Sequence, residues 1–227
     1  MLTRAAFLTF ATTLSLLAAD LNQARDSQDR GLLEQIANQS RAAADKQSQS
    51  AEAQYRFALA QSYLAEVAIE VGDKNQARTA AETGIKAAEK AVELKPDSAE
   101  YHRVLGTLCG QVIPANVLAG LKWGKCAQDE VAKAVQLDPK AAINYVSRGV
   151  GNYYLPASFG GGVELAIKDF EKAIELDPKS GDAYVWLGIA LRKANRNADA
   201  RKALEKAVTL NPGRTWAKQQ LAKTPAS

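Results

Sequence analysis

Apolar residues recur along most of the chain at the spacing of one face of an α-helix, and four of the recurring segments end in the same way. Each ends in Lys-Ala, a β-branched residue, a variable residue, Leu, a polar residue and Pro, at residues 90–96, 133–139, 172–178 and 206–212. Proline lacks a backbone N–H and clashes with the preceding turn, so each segment predicts the end of a helix. Alternating β-branched runs are rare, and nothing predicts a sheet. The pattern therefore predicts an all-α chain of repeated units.

The four prolines set the length of the unit. Pro96, Pro139, Pro178 and Pro212 are 43, 39 and 34 residues apart. The Ala five positions before each Pro predicts a crossing of two helices that is too close for a larger side chain. Repetition at this length is typical of stacked helical hairpins, each of which buries its apolar face against the next.

The last unit resembles the tetratricopeptide repeat family most closely. Its eight signature positions match without a gap, at Tyr184, Leu187, Gly188, Leu191, Ala200, Leu204, Ala207 and Pro212. Among these, Gly188 and Ala200 are the small residues that would let the two helices of the pair touch.

The three earlier units match the family at fewer positions. The third matches at Tyr145, Gly149, Ala166, Phe170, Ala173 and Pro178, with five extra residues between its helices. The second matches at Leu105, Gly106, Ala127, Ala134 and Pro139, with nine extra residues. The first matches at Leu64, Ala65, Ala77, Ala91 and Pro96, and its second helix is about two turns longer than standard.

This resemblance implies a right-handed superhelix, or α-solenoid, of about four helix hairpins with capping helices. The expected divisions are 1–19 for a signal peptide, 20–49 for an N-terminal capping helix region and 50–214 for the repeats. The individual repeats are expected at about 50–97, 98–140, 141–179 and 180–214. Residues 215–227 would form a C-terminal capping helix and tail, with Thr215 as a candidate N-cap.

A second resemblance rests on one loop and on the long first repeats. The Pro-Ala-Ser-Phe-Gly-Gly-Gly segment at 156–162 looks like a turn in repeat proteins of the regulator of microtubule dynamics type. It also looks like a turn in periplasmic repeat proteins associated with solute transporters. This resemblance suggests an alternative function.

The N-terminus has the layout of a secretory signal peptide. Arg4 precedes an apolar run from Ala5 to Ala19, and polar sequence starts at Asp20. The run is shorter than the roughly 20 apolar residues that a transmembrane helix needs. We therefore expect a periplasmic or secreted chain with no stable membrane insertion after removal of the signal. An uncleaved membrane anchor is the open alternative.

Composition and charge argue against nucleic-acid binding. The net charge is +4, and basic and acidic residues are interspersed along the helices. A nucleic-acid-binding surface would gather its basic residues on one face, with aromatic residues for stacking. We expect no nucleic-acid partner.

Residues that could support catalysis or hold a metal or a phosphate are few. The one histidine, His102, falls where the family places a large packing residue, and no nucleophile motif accompanies it. The glycines at 160–162 lack the Lys and Ser/Thr that follow a phosphate-binding loop, so a tight turn is the better interpretation. We therefore expect no enzyme, no metal site and no cofactor.

The two cysteines occupy facing helices of the second hairpin. Cys109 falls late in its first helix, and Cys126 falls early in its second. An antiparallel pair brings such positions near each other, and export would permit a disulfide. Because the insertion leaves the register open, two buried free thiols remain the alternative.

The concave face of the stack is the candidate partner-binding site. In this family the first helices line that face, and the register assigns the contacting positions to Ser62, Glu66, Ile69, Arg103, Thr107, Val146, Val150, Tyr153, Tyr154, Val185, Ile189, Arg192 and Lys193. These residues predict a groove with an acidic end, an aromatic and aliphatic middle, and a basic end. The Lys/Asn set with which some relatives clamp a C-terminal carboxylate is absent from these positions.

Two functions stay open at this stage. The favoured one is a non-catalytic scaffold that binds a protein or peptide segment in an open groove. The alternative is an accessory of a transporter that binds a small apolar ligand or solute in a pocket walled by Trp123, Tyr153, Tyr154 and the two insertions. The sequence leaves the identity of the partner and the oligomeric state open.

Overall fold

The computed structural model describes residues 20–115 and 118–226, and the segment expected to be a signal peptide lies outside them. Within these ranges the regular structure is helical and contains no strand. The helices are α1 (20–27), α2 (Arg30–Lys46), α3 (Ala51–Glu70), α4 (Lys74–Leu94), α5 (Ala99–Val112), α6 (Ala119–Leu137), α7 (Ala142–Tyr154), α8 (Val163–Leu176), α9 (Gly181–Lys193), α10 (Asn197–Leu210) and α11 (Thr215–Ala222). Short 3-10 turns occupy Ile113–Ala115 and Ala157–Phe159.

Consecutive helices form four antiparallel pairs, which stack in chain order. The pairs are α3 with α4, α5 with α6, α7 with α8, and α9 with α10, and each pair packs on the next. Helix α2 covers the first pair, and α11 covers the last. The predicted all-α solenoid with capping helices is confirmed.

Serine and aspartate side chains start several of these helices. The side chains of Ser50, Asp73, Ser98 and Ser180 accept hydrogen bonds from the backbone N–H three residues later. Such N-caps satisfy N–H groups that have no partner inside the helix. Helix α11 differs, because its N-cap is Arg214 and no side chain caps it. The expectation that Thr215 is the cap was therefore wrong, and Thr215 is the first residue of the helix.

A glycine in the first helix lets the second helix approach closely in three of the four pairs. A Cβ on Gly188 would lie 2.5 Å from Leu204 Cγ and 3.0 Å from Ala200 O. A Cβ on Gly149 would lie 2.5 Å from Phe170 Cε1. Gly106 has the same relation to Val131 in the second pair, while Ala65 is buried at the matching position of the first pair. The repeat register read from the sequence thus corresponds to real helix contacts.

The 156–162 loop is a turn that depends on its glycines. Gly160 and Gly162 have φ angles of 86° and 117°, which residues that carry a Cβ atom rarely adopt. A Cβ on Gly161 would lie 2.4 Å from the carbonyl oxygen of Leu155. The N–H of Gly162 donates to Asn152 O at 2.9 Å, which ties the loop to the end of α7. The tight-turn interpretation fits this geometry.

Replacing Gly188 by Ala tests the close helix approach. We expect Gly188→Ala to lower the free energy of unfolding by about 1–3 kcal/mol, because its Cβ meets the α10 backbone and Leu204. The matched control is Gly124→Ala in α6, where a Cβ would meet nothing within 4 Å. That change should stabilise the chain by roughly 0.5–1 kcal/mol. Urea unfolding measures both, and a stabilising Gly188→Ala would contradict the packing.

Candidate partner-binding surface

Helix α1 lies against the face of the first helices that the register places on the concave side. Leu21 and Ala24 are buried in the core shared with α2 and α3. Tyr63 Oη donates to Asn22 Oδ1 at 3.2 Å, and the Arg25 guanidinium lies 5.0 Å from the centre of the Tyr63 ring. A segment of the chain itself therefore covers part of the surface predicted to bind a partner.

The polar side chains of α1 and of the turn after it bridge the first and last repeats. Arg25 Nη1 lies 2.8 Å from Asp182 Oδ2, at the start of α9. Asp182 lies three residues before Val185, so the two share a helix face. On the other side, Gln28 Nε2 donates to Glu70 Oε2 of α3 at 2.8 Å. The first bond joins positions 157 residues apart and the second joins positions 42 residues apart, so this segment contacts both ends of the stack.

Arg214 joins the same two ends of the stack. Its residue exposure is 1%, and its guanidinium contacts Glu70 and lies 2.7 Å from Glu66 Oε1. Its Nε lies 3.7 Å from carboxylate oxygens of both Asp26 and Asp182. A buried guanidinium needs such partners, because an isolated buried charge is strongly unfavourable.

We call the six groups Arg25, Asp26, Glu66, Glu70, Asp182 and Arg214 the central charge cluster. Its two guanidinium groups face four carboxylates, so two negative charges are unbalanced when all six are ionised. Burial, reinforced by the Glu66 carboxylate and opposed by Arg214, raises the pKa of Glu70 to about 7. At Asp182, burial is outweighed by Arg25 and Arg214, which lower its pKa. The cluster thus relieves part of its negative charge by holding a proton near Glu70.

An aromatic group marks the surface of the third and fourth repeats. The rings of Tyr153 and Tyr154 lie 5.9 and 6.3 Å from that of Trp186, which in turn lies 5.0 Å from Trp216 of α11. Lys193 Nζ lies 4.1 Å from the centre of the Tyr153 ring and donates to Tyr153 O. Tyr154 keeps 55% of its surface exposed, so an aromatic face is available beside a lysine.

The thirteen residues assigned to the groove divide into two groups. Five of them are buried: Ser62, Arg103, Val146, Val185 and Ile189. The others are partly or fully exposed: Glu66, Ile69, Thr107, Val150, Tyr153, Tyr154, Arg192 and Lys193.

The buried members have partners within the chain. Val185 and Ile189 belong to a core cluster with Ala217 of α11, so the capping helix covers them. Arg103 makes two hydrogen bonds to Glu100, at 2.7 and 2.5 Å. Ser62 Oγ donates to Gln111 Oε1 at 3.2 Å. The register placed these residues on the correct helices but did not show which of them other elements cover.

The capping helix also holds the basic end of the groove. Arg192 Nη1 donates to Gln220 O at 3.0 Å and to Thr224 Oγ1 at 2.9 Å, and its Nη2 donates to Gln220 Oε1 at 2.7 Å. Lys193 therefore remains the more accessible cation at this end. Thr107, by contrast, shares a hydrogen bond of 3.4 Å with Ser147 of the next repeat.

The two cysteines of the second hairpin are joined in the structure. Cys109 of α5 and Cys126 of α6 form a disulfide with Cα atoms 6.0 Å apart. The bond joins the two helices on either side of their connection, which is nine residues longer than in a standard repeat. Their oxidation state in the cell stays a prediction that depends on export.

His102 is a packing residue with two polar contacts. It is buried in α5. Its Nδ1 lies 2.5 Å from Glu130 Oε2, and its Nε2 lies 2.9 Å from Pro96 O. The contact of Nδ1 joins the two helices of the second hairpin, and the contact of Nε2 joins α5 to the end of the first repeat.

Neither a metal-binding group nor a spanning helix is found in the described part of the chain. Across residues 20–115 and 118–226, no three His, Cys, Asp or Glu side chains are grouped so that they could hold a metal ion. None of the helices in those ranges has the length and apolarity needed to cross a membrane.

Sequence reasoning missed the central charge cluster. Asp182 and Arg214 fall in linkers or at helix starts, where charged residues are usually solvated. One signal was present in hindsight: Glu66 and Glu70 stand at i and i+4 on the concave face of α3. Two carboxylates on one helix face repel each other, and such a pair favours a cationic partner from elsewhere in the chain.

Removing the cation tests whether Arg214 holds the cluster together. We expect Arg214→Met to lower the free energy of unfolding by about 3–5 kcal/mol, because the buried carboxylates lose their shared partner. Arg201→Met is the matched control, since Arg201 is 36% exposed and 3.5 Å from Glu205. Its loss should cost about 0–1 kcal/mol. Equal effects in thermal and urea unfolding would contradict the role assigned to Arg214.

The raised pKa of Glu70 predicts a pH dependence with a definite sign. The folded chain holds the proton up to about pH 7, whereas the unfolded chain releases it near 4.5, the ordinary pKa of a glutamate side chain. This contribution to stability is therefore complete below pH 4.5 and is lost as the pH rises towards 7. It amounts to about 3 kcal/mol, since one pKa unit corresponds to about 1.4 kcal/mol.

Glu70→Gln provides the measurement of this effect. The difference in unfolding free energy between the native chain and the Glu70→Gln chain should change across pH 4.5 to 7, with the native chain losing stability relative to the variant. A difference that stays constant over this range would show that Glu70 is ionised throughout.

Comparison with solved structures supports the fold. A thermophilic tetratricopeptide repeat protein of Thermus thermophilus, TTC0263, superposes with a TM-score of 0.64 at 17% identity, covering 91% of this chain and 97% of that one. The HusA haemophore of Porphyromonas gingivalis superposes with a TM-score of 0.60 at 18% identity, covering 78% of this chain and 93% of that one. No curated protein sequence matches the chain. At these identities the likeness extends to the fold alone.

Two family models match adjacent parts of the chain. A tetratricopeptide repeat model matches residues 157–215, which confirms the repeat family recognised in the last unit. The model of Regulator of microtubule dynamics protein 1-3 matches residues 18–155. That match ends before the 156–162 loop, so the relationship rests on the N-terminal repeats and not on the loop. Because it spans more than half of the sequence, the chain belongs to the Regulator of microtubule dynamics protein 1-3 family.

Proposed function

We propose that the chain is an exported, non-catalytic scaffold that binds a segment of a protein partner on its concave surface. The tetratricopeptide-like fold supports a role in protein–protein interaction. The signal-like N-terminal sequence supports export to the periplasm or beyond the cell. The scarcity of catalytic motifs in the sequence supports a binding role.

The observation that carries the proposal is the exposed aromatic face beside Lys193. Tyr154 is half exposed although it contacts Tyr153 and Trp186, so its ring is held in place while one face remains open. Tyrosine is one of the residues that most often anchor protein interfaces, because it offers a large rigid surface at low entropy cost. The neighbouring ammonium group of Lys193 adds a contact for an acidic or carbonyl group.

The small-ligand alternative has weaker support. It depends on Trp123, Tyr153 and Tyr154 forming walls of one pocket. Trp123 instead packs against the core of the first two repeats, with Lys122 Nζ 4.5 Å from its ring centre. The two tyrosines belong to the separate aromatic group of the third and fourth repeats. This separation favours a partner that binds along a surface.

Site-specific photo-crosslinking tests the proposed surface. A chain with a benzophenone amino acid in place of Tyr154 is incubated with the extracytoplasmic fraction of the source organism and irradiated. We expect a discrete adduct with a protein of that fraction, which an excess of the native chain suppresses. As a competitor, Tyr154→Ala should be about tenfold weaker than the native chain, because an anchoring tyrosine contributes roughly 1–2 kcal/mol.

Ile143 provides the matched control. It lies at the opposite end of α7 and is 38% exposed, so the same photoreactive group there should yield no adduct. Equal adducts at both positions, or none at Tyr154, would contradict binding at this surface. Far-ultraviolet circular dichroism checks that each variant keeps its helical content.

A further inference from the structure

The α1 segment binds its surface as a helical ligand would. Its apolar residues Leu21 and Ala24 are spaced at i and i+3 and are buried. Arg25, one position on, reaches Asp182 at 2.8 Å. A short helix that places small apolar side chains against a groove and a charge at its rim follows a recurrent mode of peptide recognition.

The surface beneath α1 is acidic. Without α1, the central charge cluster retains Glu66, Glu70 and Asp182 against the single cation Arg214. Helix α1 contributes Arg25 together with Asp26, so it adds no net positive charge. Gln28, which contacts Glu70, is neutral. The cis segment therefore fits the shape of the surface but adds no net positive charge to it.

We propose that this acidic surface between α3 and α9 is a helix-binding site, which residues 20–28 occupy in cis and from which a basic amphipathic helix of a protein partner displaces them. A partner helix with the Leu/Ala spacing of α1, an arginine at the Arg25 position and a second cation near Glu70 satisfies both the apolar and the acidic parts. The site is distinct from the exposed face of Tyr154, so the two proposals can fail independently.

The covalent link between α1 and the rest of the chain explains why α1 occupies the site although a basic partner helix would fit it better. A segment that is covalently linked to its site acts at a high effective concentration, so it needs little affinity of its own. A partner must overcome this advantage through better complementarity. An added cation that faces the buried carboxylates provides this complementarity, because hydrogen bonds that involve charged groups are stronger than neutral ones.

Three full-length chains test the proposal: the native chain, Arg25→Glu and Gln28→Lys. Arg25→Glu places a fifth carboxylate in the cluster and should release α1. Gln28→Lys places a cation next to Glu70 and should hold α1 more firmly. Hydrogen exchange followed by mass spectrometry reports on residues 20–28 relative to α2, which serves as an internal reference.

We expect amide exchange of residues 20–28 to be about tenfold faster in Arg25→Glu than in the native chain and slower in Gln28→Lys, with α2 unchanged, because local opening exchanges independently of the core. In the native chain itself, these amides should exchange faster than those of α2. If residues 20–28 exchange only with the core in the native chain, the segment is a fixed structural element and the proposal is wrong. This comparison within the native chain remains informative even if a variant fails to fold.

The second arm adds labelled synthetic peptides of residues 20–29 to the same chains. By fluorescence anisotropy, the native peptide should bind Arg25→Glu about tenfold more tightly than the native chain, because the cis segment no longer competes. It should bind Gln28→Lys most weakly. A peptide carrying Gln28→Lys should bind more tightly than the native peptide, and one carrying Arg25→Glu should not bind.

The outcomes separate the two proposals. No binding of the native peptide to Arg25→Glu, or equal binding to all three chains, would overturn the helix-binding site. Binding of the native and Gln28→Lys peptides with equal affinity would overturn the preference for a basic partner. A crosslink at Tyr154 that is unaffected by Arg25→Glu would leave the scaffold function intact, whereas loss of that crosslink with retained peptide binding would leave only the acidic site.

Discussion

The close approach of paired helices at small side chains is the constraint on which the rest of the structure depends. Where Gly106, Gly149 and Gly188 meet the second helix of their own hairpins, the two backbones come nearer than any side chain at these positions would allow. Close contact at equivalent positions gives successive hairpins a similar geometry. Repeated in the same hand, that geometry curves the stack and turns one face of every first helix inwards. The concave surface therefore follows from packing and needs no residue selected for binding.

Curvature also brings together residues that are distant in sequence, and the central charge cluster is its clearest result. Arg214 follows the last hairpin and Glu70 ends the third helix, yet they are in contact. Burying this many charged groups is costly, and an apolar replacement of similar shape would often be at least as stable. The guanidinium of Arg214 contacts both Glu66 and Glu70, so it can contribute specificity by favouring one arrangement of the two ends. We interpret the central charge cluster as the element that determines how the first and last repeats are positioned relative to each other.

The sequence was sufficient to predict the hairpins. It was insufficient to predict how the terminal helices α1 and α11 pack onto them. Signature residues such as Tyr184, Gly188 and Ala200 act within one unit, so a local pattern reveals them. The buried state of Val185, in contrast, depends on α11 folding back, and the occupied state of the surface near Glu66 depends on α1. Neither contact has a local signature, because each joins elements from different parts of the chain. The register therefore assigned these residues to the first helices but could not show that the termini cover several of them.

Helix α1 occupies part of a surface that the sequence predicted to be an open groove. A groove that binds its own N-terminal helix through Leu21, Ala24 and Arg25 already demonstrates complementarity to a helix, which an empty groove would not. That helix adds no net positive charge to the acidic surface beneath it, so on our proposal a more basic segment binds the surface better than α1 does. In that case a tethered ligand of limited complementarity yields to a segment with more positive charge. Selectivity would then come from the competition between the two helices as much as from the partner contacts themselves.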